Sequence, residues 1–247
     1  MMVVDVGNTN ISLGVFRGKL LIKRLTIPTG TGDYRGRFKR IIGRSKVDDI
    51  VICSVVPSAE NAIVKQLISL TGKRPYIIGK QIKVPIRNLY RKPRQVGQDR
   101  LVNAYAGVRL HGAPLVIVDF GTTVTFDVVS ARKEYLGGMI IPGLGISLES
   151  LNQRTALLPK IKLEEPAEFI GRDTRNSMLS GIVYGFAALT DNMVTMIRKK
   201  IGSKAKVVAT GGSARMIFKY CRKIDKIDED LTIKGLKLIM DDAGHDN

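Results

Sequence analysis

Two short acidic stretches with the same pattern are the residues of this chain best suited to chemistry. Asp5-Val6-Gly7-Asn8-Thr9 recurs as Asp119-Phe120-Gly121-Thr122-Thr123, and both copies follow a run of apolar residues. A proline stands at the same spacing after each copy, as Pro28 and Pro142. Two matched copies predict a duplicated unit of three strands, in which each half presents an acidic hairpin to a shared cleft. The alternative is a pair of unrelated polar turns, in which Asp, Gly, Asn and Thr are all common.

The residue types of these hairpins suit the binding of a phosphate group and a cation. Glycine lets backbone N–H groups approach an anion closely, and Asn and Thr side chains add donors. A carboxylate repels phosphate unless a divalent cation lies between them, and Mg²⁺ is typically held by one or two carboxylates together with phosphate oxygens. Two such hairpins would supply the positioning and charge neutralisation that phosphoryl transfer requires.

Composition excludes several other kinds of protein. The 247 residues are 44% apolar and 25% charged, as in ordinary globular proteins. Cys53 and Cys221 are the only cysteines and permit no disulfide scaffold, which favours a reducing cytoplasm. The two histidines form no zinc motif and no G-x-S-x-G stretch is present, so the general base is expected to be a carboxylate. The apolar runs are too short to span a membrane, and the first residues do not resemble a signal peptide.

The chain is strongly basic. Its formal charge of +18 results from 40 Lys and Arg against 22 Asp and Glu. A dense cluster of basic residues between positions 17 and 46 is compatible with nucleic-acid binding or with the recruitment of anionic substrates. Because no aromatic side chains alternate with these charges, a solvated basic surface is the preferred interpretation. The cluster consists of Arg17, Lys19, Lys23, Arg24, Arg35, Arg37, Lys39, Arg40, Arg44 and Lys46.

Hydrophobic periodicity predicts an α/β chain. Residues 80–98 lack a clear period and are expected to form a long functional loop. The apolar stripe of a long helix near the C-terminal end is expected to be core, and Cys53 a small buried residue. In that helix Gly181 and Gly185 permit a close helix contact, within one chain or between two. Strands are predicted at residues 3–6, 11–16, 20–27, 50–56, 115–119, 123–129, 134–141 and 207–209, and helices at 33–44, 58–70, 99–111 and 176–200.

The most specific stretch is Val96-Gly97-Gln98-Asp99-Arg100, which resembles the V-G-x-D-R signature of the type III pantothenate kinase family. Tyr90 precedes it at the spacing found in that family. Gln98 is the one departure, because a small residue is commoner at this position. The resemblance runs nearly from end to end of the chain. Its other parts are residues 5–10, residues 119–123, Gly137-Gly138-x-Ile-x-Pro142-Gly143, Thr155-Ala156-x-Leu-Pro159, Gly171-x-Asp-Thr174, Thr210-Gly211-Gly212 and residues 231–236.

This resemblance implies a fold and an activity. The fold would be the duplicated actin-like ATPase fold, related to ribonuclease H, with a mixed β-sheet flanked by helices in each half and a central nucleotide cleft. The halves are expected at residues 1–112, with the phosphate loop and the substrate signature, and at residues 113–247, with the second hairpin and Gly211-Gly212 bordering the nucleotide. The implied activity is ATP-dependent phosphorylation of pantothenate to 4'-phosphopantothenate, the first step of coenzyme A biosynthesis.

The resemblance also implies roles for individual residues. Asp99, which on its own would be interpreted as a helix N-cap, is the expected proton acceptor for the pantothenate hydroxyl. Arg100 is expected to bind a carboxylate or amide oxygen of the substrate. Asp119 is the expected ligand of K⁺ or NH₄⁺, and Asp5 the expected support of Mg²⁺ through phosphate. The other implied ATP contacts are Val6, Gly7, Asn8, Thr9, Asn10, Ile11, Ser12 and Thr122, and the other implied pantothenate contacts are Tyr90, Gly97, Gln98 and Thr174.

Members of this family are homodimers, so a homodimer is expected here, with no specific nucleic-acid partner and no membrane partner. Two alternatives remain open. One is a non-catalytic regulator on the same fold, such as a transcription accessory factor that uses the basic surface. The other is a kinase that acts on a different small alcohol. The presence of Asp5, Asp99 and Asp119 favours an enzyme, and the G-x-D-R stretch with Tyr90 favours pantothenate through the resemblance alone.

Overall fold

The computed structural model describes residues 1–30, 32–43, 45 and 47–244. Arg44 and Lys46 of the basic cluster, together with His245, lie outside the described residues. The chain separates into two compact units. The first unit contains Met1–Ile86, Arg91–Ala106 and the segment that begins at Asp230, and the second contains Arg87–Tyr90 and Gly107–Glu229.

Groups of consecutive strands are separated by helices along the chain. None of the helices in the described part of the chain is long and apolar enough to cross a membrane. The strands are β1 (Met2–Val6), β2 (Asn10–Arg17), β3 (Leu20–Pro28), β4 (Ile50–Ser54), β5 (Tyr76–Ile77), β6 (Arg87–Asn88), β7 (Leu115–Phe120), β8 (Thr123–Val129), β9 (Glu134–Pro142), β10 (Lys206–Thr210) and β11 (Lys226–Ile227). The helices are α1 (Arg35–Ile42), α2 (Pro57–Thr71), α3 (Gln98–His111), α4 (Leu144–Arg154), α5 (Thr174–Ile201), α6 (Ala214–Phe218) and α7 (Leu231–Ala243), with a 3₁₀ turn at Pro93–Gln95.

A five-stranded mixed sheet forms the centre of the first unit, in the order β3-β2-β1-β4-β5. Strands β1, β2 and β3 pair antiparallel, whereas β4 runs parallel to β1 and β5 parallel to β4. Strand β1 is apolar on both faces because both are covered. Val4 packs into a core with Phe38 of α1 and Ile63 of α2, and Val3 packs into a second core with Leu236 of α7. Burial on both faces explains why Met2, Val3 and Val4 form an unbroken apolar run before Asp5.

A six-stranded mixed sheet forms the centre of the second unit, in the order β11-β10-β7-β8-β9-β6. Strands β7, β8 and β9 pair antiparallel, and β10 runs parallel to β7. Val118 and Phe126 of this sheet share a core with Val183 and Val194 of α5. Most of the apolar stripe of the long helix is therefore core, as predicted, whereas Leu189 is exposed.

The predicted duplication is confirmed. Each unit begins its sheet with three antiparallel strands joined by short turns, and the acidic residue of each repeat lies near the end of the first strand. The two prolines also occupy equivalent pairing positions at the end of the third strand. The register pairs Asp5 with Ser12 and Pro28 with Asn10 in the first unit, and Asp119 with Thr125 and Pro142 with Thr123 in the second.

The structure departs from the predicted element list in several places. Helices α4 and α7 and the two-residue strands β5, β6 and β11 were not predicted, and the long functional loop expected at residues 80–98 contains β6 and a 3₁₀ turn. The compact units also differ from the halves expected at residues 1–112 and 113–247. Helix α7 contacts β1, β2 and β4 and so belongs to the first unit, whereas Arg87–Tyr90 belongs with β9 in the second.

Candidate active site

The turn after β1 is tight, and Asn8 and Thr9 make its tip exposed. The Gly7 N–H donates to the Asn10 carbonyl at 3.0 Å, and a Cβ on Gly7 would lie 3.0 Å from that same oxygen. The Thr29 hydroxyl donates to the Gly7 carbonyl at 2.7 Å and holds the turn in place. A side chain at position 7 would crowd the Asn10 carbonyl, so the turn itself favours glycine.

Asp5 and Asp99 lie near the same buried thiol, although they are far apart in the sequence. Asp5 stands opposite Cys53 in the parallel pairing of β1 with β4. Burial raises the pKa of the Cys53 thiol well above its usual value, and the negative charges of Asp5, Asp99 and Glu60 raise it further. Cys53 is fully buried, as predicted. The fold therefore brings the carboxylate expected to support Mg²⁺ and the carboxylate expected to be the base into one region of the first unit.

Asp99 lies in the first turn of α3, which begins one residue earlier, at Gln98. Its Oδ1 accepts a hydrogen bond from the Arg100 N–H at 2.9 Å. Burial raises the pKa of the Asp99 carboxyl, while the Arg100 N–H and guanidinium act in the opposite direction. A Cβ on Gly97 would overlap the Asp99 carboxylate, so only glycine at position 97 allows this conformation. A partly desolvated carboxylate is a stronger proton acceptor than an exposed one.

The two neighbours of Asp99 in the signature have different surroundings. Arg100 is 9% exposed, so its guanidinium lies close to the carboxylate region instead of in open solvent. Gln98 packs against Gly79, where a Cβ would lie 2.8 Å from the Gln98 side-chain amide carbon. Gly79 has a φ of +84°, a conformation that favours glycine. The structure thus gives Gln98 a packing contact that explains how this larger residue is accommodated.

An ion pair with one buried partner, not predicted from the sequence, adjoins this region of the first unit. Glu60, in the first turn of α2, is 6% exposed. The Lys80 ammonium lies 2.6 Å from its carboxylate. Lys80 follows Gly79 directly, so the ion pair and the Gly79–Gln98 contact belong to the same turn. The pair could not be predicted from the sequence, because Glu60 and Lys80 lie in separate segments that no characteristic spacing relates.

The second acidic hairpin is built in the second unit around Asp119, near the end of β7. Gly211 has a φ of +91°, and a Cβ on it would overlap the Asp119 carboxylate. The Ser213 N–H donates to the Phe120 carbonyl at 3.1 Å, which holds the strand-to-helix turn after β10 against the hairpin. On the other side, a Cβ on Gly143 would overlap the Thr122 carbonyl. Gly211 was expected beside the nucleotide. The structure gives a separate reason for glycine at this position, because the Asp119 carboxylate approaches it too closely for any side chain.

Tyr90 lies in the second unit, on the short segment that follows β6. Its N–H donates to Asn88 Oδ1 at 2.9 Å. The ring lies over Gly137, where a Cβ would stand 3.3 Å from the nearest ring carbon. Gly137 has a φ of +125°, so this glycine satisfies both the backbone conformation and the ring contact.

Thr174 begins α5 at the edge of an open pocket of about 640 Å³. Asp173 is the N-cap, and its carboxylate accepts the Asn176 N–H at 2.8 Å. That hydrogen bond lowers the pKa of the Asp173 carboxyl. The pocket is lined by Leu151, Leu158, Gly171, Arg172, Asp173, Thr174, Ser177 and Met178. The lining combines apolar side chains with four polar ones at the start of α5.

Two carboxylates lie next to glycine turns and are candidate supports for a cation. Within residues 1–30, 32–43, 45 and 47–244, no three His, Cys, Asp or Glu side chains come together to hold a metal ion. Asp5 beside the Gly7 turn and Asp119 beside the Gly121 turn each provide one carboxylate next to an open loop. This arrangement fits Mg²⁺, which keeps few protein ligands and completes its shell with phosphate oxygens and water.

Comparison with known sequences supports the family resemblance inferred from the motifs. The sequence model of the family described as type III pantothenate kinase matches residues 1–196. A curated relative from Pelobacter propionicus, named type III pantothenate kinase, is 43% identical over 251 aligned residues, which cover 97% of this chain and 98% of the relative.

Comparison of structures gives the fold. A Campylobacter jejuni protein described as a conserved putative Baf family transcriptional activator superposes with a TM-score of 0.63 at 19% identity, covering 99% of this chain and 100% of that one. The Clostridium difficile activator of 2-hydroxyisocaproyl-CoA dehydratase, solved with bound ADPNP, gives a TM-score of 0.56 at 13% identity, covering 100% and 96%. At these identities the likeness establishes the duplicated actin-like α/β fold and no more.

Proposed function

We infer how the site works from one premise: the chain belongs to the type III pantothenate kinase family. It is a kinase that uses ATP and a divalent cation to phosphorylate pantothenate, the entry step of coenzyme A biosynthesis. What remains to be proposed is which residues carry the reaction. The single observation on which the proposal rests is the partly desolvated carboxylate of Asp99 at the start of α3, in the same region as Asp5.

Asp99 is the proposed general base. It accepts the proton of the pantothenate hydroxyl as that oxygen attacks the terminal phosphate. The raised pKa of its carboxyl supports this role because it increases the affinity of the carboxylate for a proton. The Arg100 N–H and guanidinium act against this rise, because both lower the pKa of the Asp99 carboxyl.

The two glycine turns are the proposed phosphate-binding loops. Residues 5–12 bind the phosphates of ATP through the backbone of the Gly7 turn and the side chains of Asn8, Thr9 and Asn10. Thr122 adds a contact from the second hairpin. Asp5 supports Mg²⁺, which neutralises charge on the phosphates. This proposal is supported by the turn at Gly7, which a backbone hydrogen bond holds in place and which a larger residue would crowd.

Asp119 is the proposed ligand of a monovalent cation, K⁺ or NH₄⁺. A carboxylate near bound phosphate repels it unless a positive charge lies between them. The close packing of Gly211 against Asp119 supports this proposal because it fixes the carboxylate at the hairpin. Gly212, which is exposed, stays the proposed neighbour of the nucleotide.

Pantothenate is proposed to contact Tyr90, Gly97, Gln98, Arg100 and Thr174. Arg100 binds a carboxylate or amide oxygen, for which a guanidinium is well suited. The open pocket at Thr174 supports the assignment, because it combines an apolar wall with the hydroxyl of that residue. The Gln98 side chain packs against Gly79, so we propose that Gln98 contacts pantothenate through its backbone.

A homodimer in the cytoplasm is the proposed state of the protein, without a nucleic-acid or membrane partner. Three large apolar side chains are exposed in the segment between α4 and α5: Leu157, Phe169 and Ile170, at 91%, 66% and 76%. Within the described residues nothing lies within 4 Å of a Cβ built on Gly181 or Gly185. Both features support an interface with a second copy, since association would remove exposed apolar side chains from water.

The test is an ATP-consumption assay with pantothenate and a panel of other small alcohols, each with and without potassium. We expect consumption with pantothenate that rises with potassium and little consumption with the other alcohols. A different preferred alcohol would identify a kinase of the same fold with another substrate. No consumption with any alcohol would favour the regulator alternative.

A further inference from the structure

The segment that carries Tyr90 is attached to its sheet by very little backbone. Strand β6 consists of Arg87 and Asn88 alone, and it pairs with Glu134 and Tyr135 at the start of β9. The Leu89 N–H adds one hydrogen bond to the Tyr135 carbonyl at 2.9 Å. So short a strand provides few ladder hydrogen bonds, and side-chain contacts must therefore contribute to holding it.

A buried carboxylate provides the main side-chain contact. Glu134 is 5% exposed, and the Arg87 guanidinium lies 2.7 Å from its Oε1. Arg132 approaches the other oxygen of the same carboxylate at 3.4 Å, and the Ser130 hydroxyl donates to that oxygen at 3.3 Å. Both arginines are largely exposed, so the carboxylate is the fixed point and the arginines reach towards it. Only Arg87 belongs to the segment that carries Tyr90.

A buried hydrogen-bond network links β8 to the start of β9. Asp127 of β8 is fully buried and accepts hydrogen bonds from Tyr135 at 2.8 Å and Thr125 at 2.9 Å. Tyr135 is the residue that pairs with Asn88, so this network fixes the strand to which β6 is attached. Gly137, two positions further along β9, leaves the space that the ring occupies.

We propose that Gly137 and the Arg87–Glu134 ion pair position the Tyr90 ring and thereby set the affinity for pantothenate. This inference rests on the proposed contact between Tyr90 and pantothenate. Gly137 provides the space for the ring, and Arg87 holds the segment in register with β9. Neither residue takes part in the transfer of the phosphate, so they are positioning residues, and their loss changes substrate affinity and not the chemical step.

The test compares two arginines that share one carboxylate. Arg87→Met releases the Tyr90 segment, so the KM for pantothenate is expected to rise roughly tenfold while kcat and the KM for ATP stay within about twofold of wild type. Arg132→Met, the matched control, removes an arginine from the same carboxylate without touching that segment and leaves all three constants unchanged. Arg87→Lys keeps the positive charge and restores most of the affinity.

Gly137→Ala is a second, independent variant. The added Cβ must displace the ring, and alanine is strained at a φ of +125°, so the KM for pantothenate is again expected to rise. Thermal unfolding of every variant identifies any that fail to fold. If Gly137→Ala does not fold, the arginine pair decides the question alone.

Tyr90→Ala separates failure of this inference from failure of the proposed function. A raised KM for pantothenate in Tyr90→Ala, with wild-type values in Arg87→Met, overturns the positioning roles and leaves the Tyr90 contact standing. An unchanged KM in Tyr90→Ala overturns the contact and the inference together. Equal effects of Arg87→Met and Arg132→Met, or a parallel rise in the KM for ATP, would indicate a general structural defect and would also overturn it.

Discussion

At the scale of single residues, the environment of Asp99 determines the most direct prediction. Asp99→Asn keeps the shape of the side chain, and its amide oxygen can still accept the Arg100 N–H, but it cannot take a proton. We expect kcat to fall by about 10²–10⁴-fold, the usual contribution of a general base. Steady-state kinetics would measure this. A variant that retains more than about half of the wild-type kcat would remove Asp99 from the role of base.

The same substitution should not cost stability. Burial raises the folded-state pKa of Asp99, so ionisation of this carboxyl opposes folding. That cost is absent below the ordinary carboxyl pKa, grows as the pH rises towards the raised folded value, and is constant above it. Asp99→Asn is therefore expected to unfold at the same temperature as wild type or a higher one at pH 7. A clearly lower melting temperature at neutral pH would mean that the carboxylate stabilises the fold instead.

The Asp119 hairpin yields a prediction about monovalent cations. Activity should be roughly tenfold higher or more in potassium-rich than in potassium-free buffer, because an ion between carboxylate and phosphate removes their repulsion. Asp119→Ala should abolish this dependence. Gly211→Ala should weaken it, since the new Cβ displaces the carboxylate. If wild type is indifferent to potassium, the monovalent site does not exist. A potassium response that survives in Asp119→Ala would point to a different ligand.

Most residues of the candidate site could be predicted from residue types in the sequence, but the contacts around them could not. The glycines at positions 7 and 121 and the acids beside them follow from the chemistry of a phosphate loop. The neighbours Glu60, Lys80 and Glu134 do not, because each meets its partner through strand register or a distant turn. Local spacing contains no information about such pairs, so the sequence could not supply them.

At the scale of elements, the Glu60–Lys80 ion pair tests how much the turn beside Gln98 contributes to stability, because the Glu60 carboxylate is buried. Lys80→Met leaves the Glu60 carboxylate buried without its cation and is expected to cost about 1–2 kcal/mol, less than for a fully buried pair because Lys80 is 60% exposed. Glu60→Gln should cost less, since no charge is left behind. Chemical denaturation measures both. Lys83→Met, an exposed lysine in the same loop, is the control and should change stability by no more than about 0.5 kcal/mol. A Lys80→Met value equal to that control would show that the pair contributes nothing.

Helix α7 illustrates why some elements were missed. Its apolar residues Ile233, Leu236 and Met240 recur at helical spacing, but the segment also contains Gly235, which disfavours a helix by about 1 kcal/mol relative to alanine. The structure explains the glycine: a Cβ there would lie 2.8 Å from Val102 of α3. Tertiary packing thus requires a residue that local propensity counts against the helix, so propensity alone gives the wrong answer here.

At the scale of the whole molecule, the internal repeat made the fold predictable from the sequence. The role of the excess positive charge stays a prediction. Arg17, Lys19, Arg37 and Lys39 of the basic cluster are exposed. We expect this surface to raise the encounter rate with ATP and pantothenate, both anionic, and salt to weaken the effect over a Debye length of about 8 Å. Titration of DNA and RNA at roughly 150 mM salt should give only millimolar or salt-erased binding. Sub-micromolar, sequence-dependent binding there would favour the regulator alternative.

The most direct measurement is the identification of the product of the purified chain. With ATP, Mg²⁺, potassium and pantothenate, mass spectrometry and phosphorus NMR should detect pantothenate carrying one phosphoryl group on its primary hydroxyl, together with an equal amount of ADP. The Asp99→Asn chain, tested beside it, should yield neither above background. Formation of ADP without phosphorylated pantothenate, or equal product from Asp99→Asn and wild type, would contradict the assignment of this chain as a pantothenate kinase whose base is Asp99.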